Sequence, residues 1–311
     1  MNPTLKHTTL LFFLALGFTA VAQESTKPED FDLPENTVKA VIKYADFTIP
    51  QQQFEIRTSH STYTFQDGKI INYQYRDSVK SQKTDVDYHY ENGELKSRET
   101  IESSRAGMEY KTRKYRTENK GYKTTFYRTY HWGETDKYIL FYNEAGELRG
   151  KSFYNVHGKR TQQIEYGGKE GYRVKKYHND QVMSDITYTN NNDGKLIKTL
   201  TYVMPNTEDE IKVLTIYNNN LKGDPFEITE FVTEEKNTNQ KLTKTTYINY
   251  LYEGDIWVAK IAYSIATKNP GKLVATIRTV ETPEKTYHAT SDEKLKAFCE
   301  GAYQKYLKTE S

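Results

Sequence analysis

A short pattern of an aromatic residue, a tight-turn pair and then Leu or Ile recurs along this sequence and constrains its fold most. The clearest copy is residues 90–95, Tyr-Glu-Asn-Gly-Glu-Leu, and others lie at 65–70, 142–148, 188–196 and 217–221. Asn-Gly or Asp-Gly between alternating runs favours a β-hairpin, because a type I′ turn needs positive φ at both central residues. The sequence therefore predicts a series of hairpins.

The spacing of these turns indicates a repeat array. Turn glycines recur about every 25 residues, a period typical of repeat proteins, at Gly68, Gly93, Gly121, Gly146, Gly171 and Gly194. An isolated two-stranded ribbon is marginal in water, so each hairpin must pair with its neighbours. We therefore predict an all-β domain over residues 37–290, an extended antiparallel meander of repeated β-hairpins. The polar, proline-containing residues 23–36 predict a flexible leader before it.

The last residues of the chain have a helical pattern instead. Ser291 is a suitable N-cap, and two acids follow it in the first turn. An apolar stripe at helical spacing comes next, formed by Leu295, Phe298, Ala302 and Tyr306 with Cys299 on its flank. We predict one C-terminal α-helix over residues 291–308 that packs against the last strands. Cys299 is the single cysteine, so we expect a buried thiol and no intramolecular disulfide.

The first residues of the chain predict export. Residues 1–22 contain Lys6, an apolar run over 10–20 and the small residues Ala-Val-Ala at 20–22, which is typical of a secretory signal peptide. The run of about 11 apolar residues is short of the ~20 that span a bilayer. We therefore predict a periplasmic or secreted protein with no membrane span.

Composition predicts strands that are half solvated. The chain has 27 tyrosines against four methionines and two tryptophans, and its mean hydropathy is −0.87. Tyrosine suits a wet strand surface, so we expect a long sheet with one face largely exposed to water. The net charge of +2 argues against a nucleic-acid partner. Candidate binding residues on the tyrosine-rich face are Tyr122, Phe126, Tyr130, Trp132, Tyr142 and Trp257.

The search for catalytic chemistry finds little. The sequence contains no glycine-flanked nucleophile serine and no phosphate-binding glycine loop, so we predict no catalytic residue and no cofactor. One alternative stays open: Asp85, Asp87 and His89 share a strand face at alternate positions and could converge on a divalent metal. The other interpretation of these three residues is a solvated strand face beside a turn.

The turn sequences also carry a family likeness. Gly-Glu-Leu at 93–95 and 146–148 and Gly-Lys-Leu at 194–196 resemble the MORN-variant repeats of the YwqK-like antitoxin family and, more loosely, the YD repeats of Rhs proteins. The resemblance covers about residues 60–222, although the units here are uneven in length and the C-terminal third does not match. It implies a β-repeat scaffold that binds another molecule.

These observations lead to one main hypothesis and three alternatives. The main hypothesis is a non-enzymatic exported protein that binds a protein or an envelope glycan through its tyrosine-rich sheet face. The alternatives are a toxin-neutralising protein, a metal-dependent hydrolase and a carrier of a small apolar ligand. The sequence leaves open whether the sheet closes. An open sheet would have unpaired edge strands, which predicts an edge-strand homo-oligomer.

Overall fold

The computed structural model describes residues 26–48, 53–166, 171–178, 181–190, 196–203, 210–234, 241–264, 272–288 and 291–310. The predicted signal peptide, residues 1–22, lies outside this part of the chain. The described elements are the 3-10 turn Pro28–Phe31, β1 (Lys39–Thr48), β2 (Gln53–Gln66), β3 (Lys69–Asp77), β4 (Gln82–Glu91), β5 (Glu94–Ser104), β6 (Gly107–Lys120), β7 (Lys123–Tyr130), β8 (Thr135–Tyr142), β9 (Leu148–Tyr154), β10 (Arg160–Tyr166), β11 (Gly171–His178), β12 (Gln181–Asn190), β13 (Leu196–Val203), β14 (Glu210–Asn219), β15 (Pro225–Glu234), β16 (Lys241–Glu253), β17 (Ile256–Ser264), β18 (Lys272–Glu281), β19 (Thr286–Tyr287) and α1 (Asp292–Glu310).

The strands form one antiparallel meander that closes into a barrel. From β2 to β18 each strand pairs with the next one along the chain. Strand β1 completes the ring, because it pairs with β2 on one side and with β18 on the other. Val41, for example, lies between Thr62 and Thr279. The prediction of an all-β hairpin meander with one C-terminal helix is confirmed.

Closure corrects one expectation about the sheet's edges. The edge-strand homo-oligomer was predicted for an open sheet with unpaired strands at both ends. In the described ring, β2 and β18 are both covered by β1, and the short strand β19 adds a further pairing to β18 at Val280 and Glu281. The structural basis of that prediction is therefore removed.

Two of the predicted type I′ turns are present. Asp67 and Gly68 have φ values of 50° and 67°, and Asn92 and Gly93 have φ values of 50° and 79°. Both central residues of each turn are thus in the left-handed region, as this turn type requires. The third predicted pair, Asp193-Gly194, lies outside the described residues.

Cross-strand register divides the sheet into two faces. One face contains Lys151, Ile164, Val174 and Ile186, which lie opposite one another on β9 to β12. The last three are buried, although α1 packs on the other face of the sheet. A closed sheet buries side chains on its concave side, so this face is the inner face. Register places Lys260 of β17 and Arg278 of β18 on it as well.

The part of the outer face that α1 does not cover is polar. Ion pairs join neighbouring strands there, including Arg76 with Asp85 and Arg173 with Asp185. This corrects the expectation of a tyrosine-rich face largely exposed to water, because the tyrosine-rich face of the described sheet is mainly the concave one. Alternation along a strand separates two faces but does not tell which of them a closed ring encloses.

Helix α1 covers the outer face of the strands that close the ring. Leu295, Cys299, Ala302 and Tyr306 are buried against Ala45 and Phe47 of β1, Ala259 and Ile261 of β17, and Leu273 and Ala275 of β18. The prediction that Cys299 is buried is confirmed. Burial raises the pKa of its thiol to about 12.

The predicted leader differs from the structure from Thr26 onward. Residues 26–37, the N-terminal segment, contain the 3-10 turn and lie against the inner face of the barrel. Leu33 is buried with Ala40, Phe65, Ile70 and Val280, and the Thr26 carbonyl accepts a 2.6 Å hydrogen bond from the Ile70 amide. The segment is otherwise polar, but it contains the apolar side chains of Phe31 and Leu33. Their burial stabilises its packing against the inner face.

Candidate functional site

The inner wall carries two rows of aromatic side chains. The first row crosses β7 to β9: the rings of Phe126 and Tyr138 stack with centroids 4.5 Å apart, and Tyr138 lies 5.7 Å from Phe153. The second row crosses β10 to β12, where Tyr172 and Tyr188 stack at 4.3 Å and Tyr166 lies 6.3 Å from Tyr172. Neighbouring strands place these rings opposite one another, which is the usual arrangement for cross-strand aromatic pairs.

Burial changes the acid–base behaviour of the second row. It raises the pKa of Tyr188 to about 12, and burial is also the main cause of the raised pKa values of Tyr172 in this row and of Tyr217 on β14. These phenols therefore stay neutral at ordinary pH. Each presents a hydroxyl that can donate and accept hydrogen bonds.

A cavity of about 280 Å³ lies between the N-terminal segment and the wall formed by β5 to β8. Its volume is close to the lower end of the range for small-molecule sites, about 300 Å³. Aromatic and aliphatic groups alternate in its lining with four cationic and two acidic residues. The lining residues are Thr26, Lys27, Lys69, Tyr90, Gly93, Glu94, Leu95, Tyr115, Arg116, Thr117, Phe126, Tyr127, Arg128, Asp136 and Tyr138.

A buried ion pair fixes one wall of this cavity. Arg128 Nε and Nη2 donate to the two oxygens of Asp136 at 3.0 and 2.6 Å, and Tyr130 donates its hydroxyl to the same carboxylate at 2.7 Å. Burial and this hydrogen bond raise the pKa of Tyr130. The guanidinium carbons of Arg113 and Arg128 lie 5.0 and 5.2 Å from the Tyr130 ring centroid, so two cations lie within cation–π distance of this ring.

A second polar cluster holds the N-terminal segment in place. The Trp257 indole donates to Asp32 at 3.1 Å, while Arg278 donates to the backbone carbonyls of Asp32 and Trp257. The Arg278 guanidinium lies 3.5 Å from the Trp257 ring centroid, and Lys260 Nζ lies 4.3 Å from it. Burial raises the pKa of Asp32, although Arg278 and Lys260 oppose this. Burial lowers the pKa of Arg278 to about 10.

The segment also influences the opposite side of the ring. Burial lowers the pKa of the Lys151 ammonium on β9, and the negative charge of Asp30 partly offsets that change. Asp32 meets β17 and β18, whereas Asp30 acts on β9, which lies across the ring from them. The N-terminal segment therefore occupies the interior of the barrel.

The structure brings together only some of the predicted binding residues. Phe126 and Tyr130 share the inner face of β7, and Trp132 stacks on Tyr130 with centroids 4.6 Å apart. Tyr122 is 57% exposed in the β6–β7 turn; its carbonyl accepts the Tyr142 amide at 2.9 Å. Trp257 belongs to the separate cluster around Asp32.

Sequence reasoning missed several residues that line the cavity. Tyr138, Arg128 and Asp136 form its inner wall with Phe126, and Asp32 fixes the segment beside it. The alternation of Asp136, Tyr138 and Leu140 along β8 carried a signal for a shared face. The enclosure of that face, which gives these residues their role, depends on strands far away in the sequence.

The three residues of the suggested metal site lie together on the outer face but have separate partners. Asp85 pairs with Arg76, Asp87 accepts a 2.8 Å hydrogen bond from the Asn72 amide group, and His89 Nε2 lies 3.9 Å from Glu99. Within the described residues, no three His, Cys, Asp or Glu side chains are grouped so that they could hold a metal ion.

Comparisons with known proteins give no family for this chain. No family model matches it, and no curated protein matches it. Among solved structures, a porin-like protein from Bacteroides uniformis is 13% identical with a TM-score of 0.33, over 79% of this chain and 98% of that one. TcdB2-TccC3 without its hypervariable C-terminal region is 10% identical with a TM-score of 0.17, over 66% and 16%. At these TM-scores neither structure bears on the function of this chain.

In the part of the chain that the structure describes, no helix has both the length and the apolar character needed to cross a membrane.

Proposed function

We propose that this chain is a non-enzymatic, exported binding protein that holds a unit of an envelope glycan in the cavity beside the N-terminal segment. The observation that carries the proposal is the enclosed aromatic wall around Phe126. A site that combines an apolar ring surface with a few converging polar groups is typical of ligand binding.

The Phe126 ring has a large aromatic neighbour on one side and a small neighbour on the other. Tyr138 covers one face of the ring at 4.5 Å with an angle of only 8° between the planes. On the other side, the residue opposite Phe126 is Thr117 of β6, whose side chain is too small to cover a phenyl ring. Both Phe126 and Thr117 line the cavity, so a sugar ring would pack on Phe126 from the side of Thr117.

Polar groups around this platform suit a ligand rich in hydroxyls. The Arg128–Asp136 pair and the hydroxyls of Tyr90 and Tyr115 belong to residues that line the same cavity. Charged and phenolic groups donate to and accept from hydroxyls. Such a lining fits a sugar better than the small apolar ligand considered from the sequence.

Closure of the sheet favours the glycan over a protein partner. A folded protein needs a broad accessible patch of roughly 800 Å² on each side, whereas this tyrosine-rich face encloses a cavity of about 280 Å³. That volume accommodates a sugar unit. The toxin-neutralising role stays a prediction that rests on the repeat resemblance.

Isothermal titration calorimetry with a panel of disaccharides tests this proposal. The panel contains chitobiose, cellobiose, maltose and digalacturonate, and the protein is the full mature chain. We expect at least one member to bind wild type, and Phe126→Ala to weaken that binding about tenfold through loss of the ring contact. Tyr122→Ala is the matched control, since Tyr122 is an exposed aromatic outside the cavity. No binding by any member, or equal loss in both variants, would overturn the proposal.

A further inference from the structure

The charges around the cavity differ in whether they are already balanced. Two acids line it, and each has its own cation: Asp136 is held by Arg128, and Glu94 by Lys96 at 2.8 Å. Of the lining cations, Arg116 pairs with Glu118. The charges in these three pairs balance. The net positive charge of the cavity lining therefore comes from its two remaining cationic residues, Lys27 and Lys69.

Among the residues that the structure describes, Lys69 contacts the cavity wall and pairs with no carboxylate. Its Nζ donates to the Gly93 carbonyl at 2.9 Å and lies 5.6 Å from the centroid of the Tyr90 ring. A carbonyl and an aromatic face orient an ammonium group but do not neutralise it. Two of the three ammonium hydrogens thus stay available to a ligand.

Lys27 stands beside Lys69 because the N-terminal segment is hydrogen-bonded to β3. The Thr26 carbonyl accepts from the Ile70 amide, which places each lysine next to one end of that bond. One acid of the segment, Asp30, directs a carboxylate oxygen to the backbone amides of Thr26 and Lys27 at 3.0 Å. Within the described ranges, neither lysine forms an ion pair.

We infer that the sugar held in this cavity is acidic, with a carboxylate that Lys27 and Lys69 bind while its ring packs on Phe126. The inference rests on the proposed function and names the ligand class for the same site. A carboxylate accepts short, charge-assisted hydrogen bonds from two ammonium groups and balances their charge.

A matched ligand pair tests the charge alone. Digalacturonate and its dimethyl ester have nearly the same shape, and the ester lacks both negative charges. We expect wild type to bind the acid at least about tenfold more tightly than the ester in calorimetry at low salt. The preference should shrink with increasing salt. This comparison needs no variant, so it cannot fail through misfolding.

Variants then assign the preference to the two lysines. We expect Lys27→Gln combined with Lys69→Gln to bind acid and ester within about twofold of each other, with the far-UV circular dichroism of wild type. Lys80→Gln, at an exposed turn residue outside the cavity, is the matched control and should keep the full preference.

The outcomes separate this inference from the proposed function. If acid and ester bind wild type equally, the acidic-ligand inference is overturned while glycan binding stands. If the preference survives in the double lysine variant, the assignment to Lys27 and Lys69 is wrong. If neither ligand binds but a neutral disaccharide of the panel does, the charge inference alone is overturned. If no sugar binds at all, the proposed function falls with it.

Discussion

The indole N–H of Trp257 donates a 3.1 Å hydrogen bond to the carboxylate of Asp32, and the two residues are 225 positions apart in the chain. This contact ties the N-terminal segment to β17 near the point where the ring closes. Both partners are largely enclosed, so the hydrogen bond replaces water that Asp32 would otherwise bind. The segment is thereby an integral part of the interior and forms one wall of the cavity.

Trp257→Phe tests how firmly this contact holds the segment. The substitution keeps an aromatic ring but removes the donor, which leaves a buried carboxylate short of one hydrogen bond. We expect a loss of about 1–3 kcal/mol in the free energy of unfolding by urea, with faster amide hydrogen exchange over residues 26–33. Trp132→Phe is the matched control, because its indole also donates to an acid, Glu134, but is 56% exposed. An equal loss in both variants would contradict this role of Trp257.

Asp136→Asn tests the ion pair in the cavity wall. The side chain of Asp136 is 4% exposed, and removal of its charge takes away the carboxylate that accepts two hydrogen bonds from the largely buried Arg128 guanidinium. We expect a loss of about 3 kcal/mol in urea unfolding. Glu147→Gln breaks the exposed pair with Arg149 and should cost less than about 1 kcal/mol. Similar losses in the two variants would show that the cavity wall is open to water.

Gly171→Ala tests the close approach of β11 to β12. Gly171 has φ +127°, and a Cβ there would lie 1.9 Å from the Tyr188 carbonyl oxygen. We expect a loss of about 3 kcal/mol or more in unfolding free energy, because backbone must move to relieve this clash. Gly301→Ala is the control in α1: nothing lies within 4 Å, so it should stabilise by about 0.5–1 kcal/mol. The opposite order of the two effects would contradict the β11–β12 geometry.

Tyr188→Phe tests the pH dependence of the buried tyrosine row. Folding raises the pKa of Tyr188 from 10.0 to about 12. The full contribution of this shift to folding stability is therefore present below pH 10. Above pH 10 the unfolded chain loses this proton more readily than the folded one, and stability falls until pH reaches about 12. Over this pH interval, we expect the free energy of unfolding of the variant to fall by about 2 kcal/mol less than that of wild type. Tyr122→Phe, at an exposed tyrosine, is the control, and the same flattening in both variants would refute the prediction.

Much of the fold could be predicted because its signals are local. The positive φ values at Asp67-Gly68 and Asn92-Gly93 follow from residue types within one turn, and the stripe around Cys299 lies within one helix. Alternation within strands likewise indicated which side chains share a face. These features depend on residues only a few positions apart.

The enclosure of the tyrosine-rich face could not be predicted in the same way. It depends on the pairing of β1 with β18 across nearly the whole chain. The composition suggested solvent-exposed tyrosines, yet the apolar edges of many of these rings are buried against neighbouring strands. The cavity needs the closed ring and the N-terminal segment together, so no single stretch of sequence encodes it.

Hydroxyl-radical footprinting of the tyrosines, read by mass spectrometry, tests directly whether the ring of strands is closed. If the tyrosine-rich face is the interior of a closed barrel, Tyr110 and Tyr122, which are 55% and 57% exposed, should be oxidised quickly. Tyr188, at 8% exposed, should be protected at least about tenfold, as should Tyr306 beneath α1. Oxidation of Tyr188 at the rate of Tyr122, with Tyr306 still protected, would show an open sheet and contradict the account.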